Sequence, residues 1–185
     1  MNTRFVRNVF LKGLLIFILV DLLWVLVNPQ ALGKLSSYNI IFRGRERLPF
    51  GENISESYNL SLYNVDAMFA SHKINGSQKT EDEFRVIIIG DSSIWGTLLK
   101  PQETLAGVLD SVGLKTKEGK TLRVYNLGYP TLSLVKDLMI LDESMRYDPD
   151  LILWPVTLES FPRDRQLDSP IVANNSERVS RLIIE

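Results

Sequence analysis

The sequence predicts an α/β fold, a parallel sheet with helices on its faces, preceded by one N-terminal transmembrane helix. Three observations predict it. One is a terminal apolar run from Gly13 to Val27. Another is a set of short β-rich stretches, "RVIIIG", "TLRVYNLG" and "DLILWPVT". Between them lie two helix-like stretches, "PQETLAGVLDSVG" and "TLSLVKDLMILDESMRY". Strand, helix, strand, helix, strand in alternation argues for parallel strands joined by crossovers.

Composition narrows the function classes. The 185 residues allow one ordinary domain plus an appendage. Net charge is −1 with both signs mixed, so no basic footprint argues for nucleic acid. Cysteine is absent, which excludes disulfides, thiolate catalysis and cysteine zinc sites. No metal or other cofactor is suggested. The only histidine is His72.

The N-terminal element comes first. Extended back to Val9, the apolar run approaches the roughly 20 residues a helix needs to cross a bilayer. Arg4, Arg7 and Lys12 precede its core, and Lys12 can snorkel to the interface. Asp21 costs roughly 2.5–3.5 kcal/mol at mid-membrane, which the surrounding Leu, Ile, Val and Phe side chains offset. Asn28-Pro29 ends the run. A cleaved signal peptide is the rival reading, with Ala31-Leu32-Gly33 as the small-x-small site. The length of the run and Trp24 favour an uncleaved anchor. Residues 1–33 are thus read as a cytoplasmic stub and anchor, placing the remainder outside the cytoplasm as a single-pass protein of the bacterial inner membrane.

Residues 34–83 read as an extracytoplasmic linker, mixing turn residues with short apolar patches. Within it Asn59 to Phe69 could fold as a short helix, with Leu60, Tyr63, Ala67 and Met68 toward a core. Residues 84–185 hold the α/β domain. "RVIIIG" has the continuous β-branched character of a strand covered on both faces. The first helix starts at Pro101, stops at Gly113, and carries Leu105, Val108, Leu109 and Val112 as its expected buried stripe. "TLRVYNLG" is the second strand. The second helix sets Leu134, Leu138, Leu141 and Met145 on one face and ends at Asp148-Pro149. "DLILWPVT" is read as a third buried strand. Right-handed crossovers bring "GDSSIWG", "GYPTLS" and "PVTLES" together at the carboxyl ends of the strands, where open α/β sheets bind ligands.

These residues resemble a known family. "VIIIGDSSIWG" looks like the first block of the SGNH (GDSL-type) hydrolases, "YNLGYPTLS" like the second, and "PDLILWPVTLES" falls where the third belongs. With the leading apolar segment, the chain resembles membrane-anchored SGNH-type proteins of the bacterial envelope. The resemblance implies a three-layer, flavodoxin-like parallel sheet, here partial. It implies Ser92 as the nucleophile toward an ester carbonyl, forming an acyl-enzyme. The backbone N–H groups of Ser92 and Gly128 would face the oxyanion, each such donor being worth ~2.7–4 kcal/mol. Asp91, Asn126 and Glu159 would support the site. The implied substrate is an acylated glycan or lipid.

Two departures stand out. The third block carries no asparagine; Glu159 stands nearest its place, with Thr157 or Ser160 as substitute donors. No Asp-x-x-His block follows Arg165, where the tail offers Asp168 but no histidine. A serine without a base is a poor nucleophile at neutral pH. His72 precedes the first strand, on the wrong side of the topology. The chain therefore reads as the N-terminal part of a longer protein.

Each candidate also has a structural reading. Asp91, Ser92 and Ser93 can cap the turn after the strand. Gly128 can serve backbone geometry, Asn126 can end its strand, Trp95 and Trp154 can pack, and Arg163 and Arg165 can be solvated or bind an anionic envelope substrate. The sequence thus admits a membrane-anchored ester hydrolase or acyltransferase, or a non-catalytic envelope assembly protein on the same fold. A flavodoxin-like phosphate binder fits the topology, but the first loop lacks a glycine-rich cradle.

Overall fold

The computed structural model describes residues 3–26, 52 and 62–184. The expected helix stop at Asn28-Pro29, the rival cleavage site at Ala31–Gly33 and most of the expected linker lie outside the described residues. The chain is a mixed α/β protein with a three-stranded parallel sheet flanked by helices.

The apolar N-terminal run forms one helix, α1 (Thr3–Leu26). Its side chains are exposed from residue 3 to residue 23. Among the described residues no helix is long and apolar enough to cross a membrane. Over residues 3–23, Arg4, Arg7, Lys12 and Asp21 interrupt the apolar surface.

The short helix α2 (Val65–Ala70) is capped by Asn64, whose side chain accepts from Ala67 N at 2.9 Å. Val65, Met68, Phe69 and Ile74 are fully buried in the main core. This part of the expected linker therefore belongs to the packed body. The expected inward residues are only partly right: Met68 is buried, whereas Tyr63 is exposed.

The sheet order is β2-β1-β3, with β1 (Glu83–Gly90) central, β2 (Thr121–Gly128) on one side and β3 (Leu151–Leu153) on the other. All of β1 is in register with β2, from Glu83 opposite Thr121 to Gly90 opposite Gly128. As β-branched residues on a two-sided strand should, Val86 to Ile89 are all buried. Ile87 and Ile89 face one core with Leu127, Met139 and Ile140. Val86 and Ile88 face a second with Ile94, Ala106 and Val124. The third strand is a short edge, not the long buried strand expected. Leu151 is exposed, and pairing runs only from Val86↔Leu151 to Ile88↔Leu153. Pro155, two residues on, has no N–H to extend the ladder.

Between β1 and β2 lie α3 (Ser92–Trp95) and α4 (Leu105–Ser111). Thr104 caps α4, accepting from Gly107 N at 3.2 Å. Its expected apolar stripe is mostly exposed. Leu105, Val108 and Val112 face outward, while Ala106 is buried and Leu109 partly so. Close packing explains the choice: a Cβ on Gly107 would fall 2.2 Å from Pro101 O, so the helix meets the preceding turn through its smallest residues.

Helix α5 (Leu134–Ser144) is likewise rotated from expectation. The buried residues are Lys136, Asp137, Met139, Ile140 and Ser144, whereas Leu138 and Met145 are exposed. Beyond β3 the chain runs through short turns to α6 (Pro170–Ala173) and α7 (Ser176–Ile184). Ile171, Val172 and Val179 complete the main core. Arg178 joins α7 to Glu143 of α5 and Asp66 of α2.

Candidate functional site

The site is built at the carboxyl end of β1. Gly90 ends that strand at φ 152, where a Cβ would lie 2.7 Å from Ile94 Cγ1. Its missing side chain lets α3 fold back over the strand end. Asp91 caps α3, and its Oδ1 accepts from Ser93 N at 2.8 Å and Ser93 Oγ at 2.7 Å. Its Oδ2 accepts from Thr157 Oγ1 at 3.4 Å. The buried carboxylate is therefore spent on fixing the turn, in keeping with the structural reading of Asp91.

Ser92 opens α3 and lines a cleft of about 400 Å³ with Pro130, Thr131, Leu132, Arg165, Asp168 and Ser169. The hydroxyls around it are not equivalent. Thr131 and Ser169 bond each other at 2.7 Å, Ser93 donates to Asp91, and Ser133 donates to Gln166 O at 2.8 Å. Ser92 Oγ has no hydrogen bond among the described residues. As the first residue of α3, its amide has no carbonyl one turn back to donate to.

The expected second oxyanion donor is differently employed. Gly128 N–H donates to Asn126 Oδ1 at 2.9 Å, and Asn126 Nδ2 donates to Ile94 O at 2.8 Å. A Cβ on Gly128 would sit 2.3 Å from Trp95 N. Gly128 is thus where the backbones of β2 and α3 touch, and buried Asn126 fastens that contact. The Thr157 hydroxyl, expected as a substitute donor, points to Asp91. Ser160 is buried, with its hydroxyl 3.3 Å from that of Thr157. Glu159 is exposed on a short turn and does not line the cleft that holds Ser92.

His72 sits at the end of α2, buried, with Nδ1 2.6 Å from Met68 O. A carbonyl only accepts, so Nδ1 carries the proton. His72 packs in the body of the protein and does not line the Ser92 cleft. Among the described residues no group of side chains is arranged to hold a metal ion.

The structure brings in residues that sequence reasoning passed over. Lys136 is fully buried beneath the loops, its Nζ 2.5 Å from Asp137 Oδ1. It donates to Gly90 O at 2.9 Å and Tyr129 O at 3.3 Å. Trp154 Nε1 donates to Asp137 Oδ2 at 3.1 Å, drawing in the chain after β3. Burial pushes the Lys136 ammonium down and the Asp137 carboxyl up from their ordinary values, and each opposes the other's shift. Gln166 ties the last loop down. Its Oε1 accepts from Leu134 N and Val135 N, and its Nε2 donates to Ser160 O and Pro162 O. The signal for Lys136 was its spacing, three and four residues before buried Met139 and Ile140. Gln166 carried no comparable signal, while Arg165 and Asp168 were named from the sequence without a place at the Ser92 cleft.

No family model, curated protein or solved structure matches the chain.

Proposed function

We propose that the chain carries the serine site of a membrane-anchored, SGNH-type ester hydrolase or acyltransferase acting outside the cytoplasm. The observation that carries this reading is the Ser92 hydroxyl, which lines a cleft at the end of the central strand without a hydrogen-bond partner among the described residues. Its neighbours Ser93, Thr131 and Ser169 are all engaged. A hydroxyl held on a rigid turn and left uncommitted suits attack on an acyl carbon. The cleft's described lining holds no histidine, and its one carboxylate is Asp168.

The anchor proposal rests on the exposed apolar side chains of α1, from Phe5 to Leu23, and on the apolar sequence that continues to Val27. At 1.5 Å per residue, a 24-residue helix is about 36 Å long, comparable to a hydrocarbon core of about 30 Å. Retention in the membrane pellet after alkaline carbonate extraction is the expected outcome. Release into the supernatant would remove the anchor.

A non-catalytic envelope assembly role is the second reading. The Gly128 amide and the Thr157 hydroxyl, both expected as oxyanion donors, are bound within the protein. The deciding experiment is covalent labelling of the natural full-length protein in membranes with a fluorophosphonate probe, beside a Ser92→Ala control. Labelling that the control abolishes supports acyl chemistry. Equal labelling of both, or none, leaves the binding role.

A further inference from the structure

Arg165 differs from most other described arginines of the domain. Arg85, Arg123, Arg146 and Arg178 each meet a carboxylate. Arg165 has no ion pair among the described residues, although Asp164 and Asp168 lie within three positions of it. It lines the same cleft as Ser92, and so does Asp168, which is also without an ion pair among the described residues. The loop that carries both is held by Gln166, whose side chain binds α5 and the preceding turn through four hydrogen bonds. A guanidinium placed on a fastened loop beside an uncommitted hydroxyl is suited to fork onto an anionic group. A carboxylate on the same rim accepts hydrogen bonds from hydroxyl groups.

We infer that the cleft takes an anionic polyol ester, with Arg165 binding a phosphate or carboxylate near the ester and Asp168 accepting from an adjacent hydroxyl. The ester part rests on the function proposed above; the anion and hydroxyl parts rest on Arg165 and Asp168. Pro130 and Leu132, which also line the cleft, offer apolar surface to the uncharged part of the ligand. In this arrangement Arg165 sets specificity and leaves the chemistry to Ser92.

The test is equilibrium binding to the full chain in nanodiscs, read from amide chemical shifts at Thr131 and Ser169. The probes are glycerol 1-phosphate, galacturonate, inorganic phosphate and glycerol. The two anionic polyols are expected to bind more tightly than glycerol, and their ratio distinguishes a phosphate from a carboxylate ligand. Arg165→Gln should weaken the better anion about tenfold. Asp168→Ala should erase the advantage of glycerol 1-phosphate over inorganic phosphate. Unchanged affinity in Arg165→Gln, or equal binding of glycerol, overturns the proposal. Anion binding without fluorophosphonate labelling would remove the acyl chemistry alone, and labelling without Arg165-dependent binding would remove the anion specificity alone.

Discussion

Lys136 Nζ donates to the carbonyl of Gly90 at 2.9 Å, two residues before Ser92 in the chain. The same ammonium reaches Tyr129 O, so one buried cation joins the ends of β1 and β2 beneath the cleft. Gly90 O also accepts from Tyr129 N at 2.9 Å and Tyr129 O from Thr131 N at 2.8 Å, so the lysine adds a second, charge-assisted donor to each carbonyl. Asp137 supplies the countercharge from the same helix.

Lys136→Met tests this clamp. It keeps the length of the side chain but leaves Asp137 buried opposite no cation. Breaking a buried pair from one side costs about 3–5 kcal/mol, and urea denaturation should show a loss of that order. Lys136→Met combined with Asp137→Leu should recover part of it, because replacing both charges by apolar groups removes the unpaired carboxylate. Recovery will be incomplete, since Gly90 O and Tyr129 O keep only their backbone donors and Trp154 loses its acceptor. A single variant as stable as the parent would show that the pair contributes nothing.

The alternation of strands and helices was legible because it depends on local β-branched runs and turn residues. β2 matches its expected span, Thr121 to Gly128, and β1 begins only two residues earlier than "RVIIIG". Ser92 stands where the loop geometry placed it, on a cleft shared with the loop after β2. The helix faces were not legible. Leucine spacing pointed to Leu138 and Met145, yet α5 buries Lys136 and Asp137, because strand-end carbonyls outside the helix decide its rotation. A short helix facing a core was legible in α2, but not which residues it buries, since Val65 and Phe69 share that core with distant β1, α5, α6 and α7. The role of Gly128 was half legible. Its need for a small residue could be expected, but the use of its amide depends on the rotamer of Asn126.

Gly128→Ala should be costly. The new methyl would lie 2.3 Å from Trp95 N, 2.7 Å from Ile94 C and 2.8 Å from Trp95 Cα. Backbone atoms cannot rotate aside, so α3 must move off β2. The expected cost is about 1–3 kcal/mol, with a shift in tryptophan emission from Trp95. Because α3 carries Ser92, fluorophosphonate labelling should fall as well. A thermal midpoint and emission maximum equal to the parent's would show that the contact is looser than described.

His72→Asn separates packing from catalysis. Asparagine Nδ2 can replace His72 Nδ1 as donor to Met68 O while removing the imidazole. Because His72 is buried in the α2 region and does not line the Ser92 cleft, the labelling rate should stay within twofold of the parent. Stability should fall by about 1 kcal/mol from lost packing. A loss of labelling in a variant that remains folded would show that this histidine acts on Ser92.

Asp150 supplies the acid-sensitive part of the strand pairing. Its Oδ2 accepts from Arg85 N at 2.6 Å, and its Oδ1 lies 2.9 Å from Lys79 Nζ. Partial burial pushes its carboxyl up, but the Arg85 amide and the Lys79 ammonium together outweigh that and hold it below the usual value of 3.8. A carboxyl lowered in the folded state binds fewer protons there than in the unfolded chain at the same pH. Its stabilisation is therefore fully present above the unfolded value and disappears as pH falls through the folded one. Lys79 keeps its charge throughout this range, so the change belongs to Asp150. Asp150→Asn retains an acceptor for Arg85 N and removes the titration. Stabilities from urea denaturation should differ by about 1 kcal/mol or less at neutral pH and converge as pH falls below the ordinary carboxyl value. A difference that does not change as pH falls would mean that Asp150 titrates alike in the folded and unfolded states.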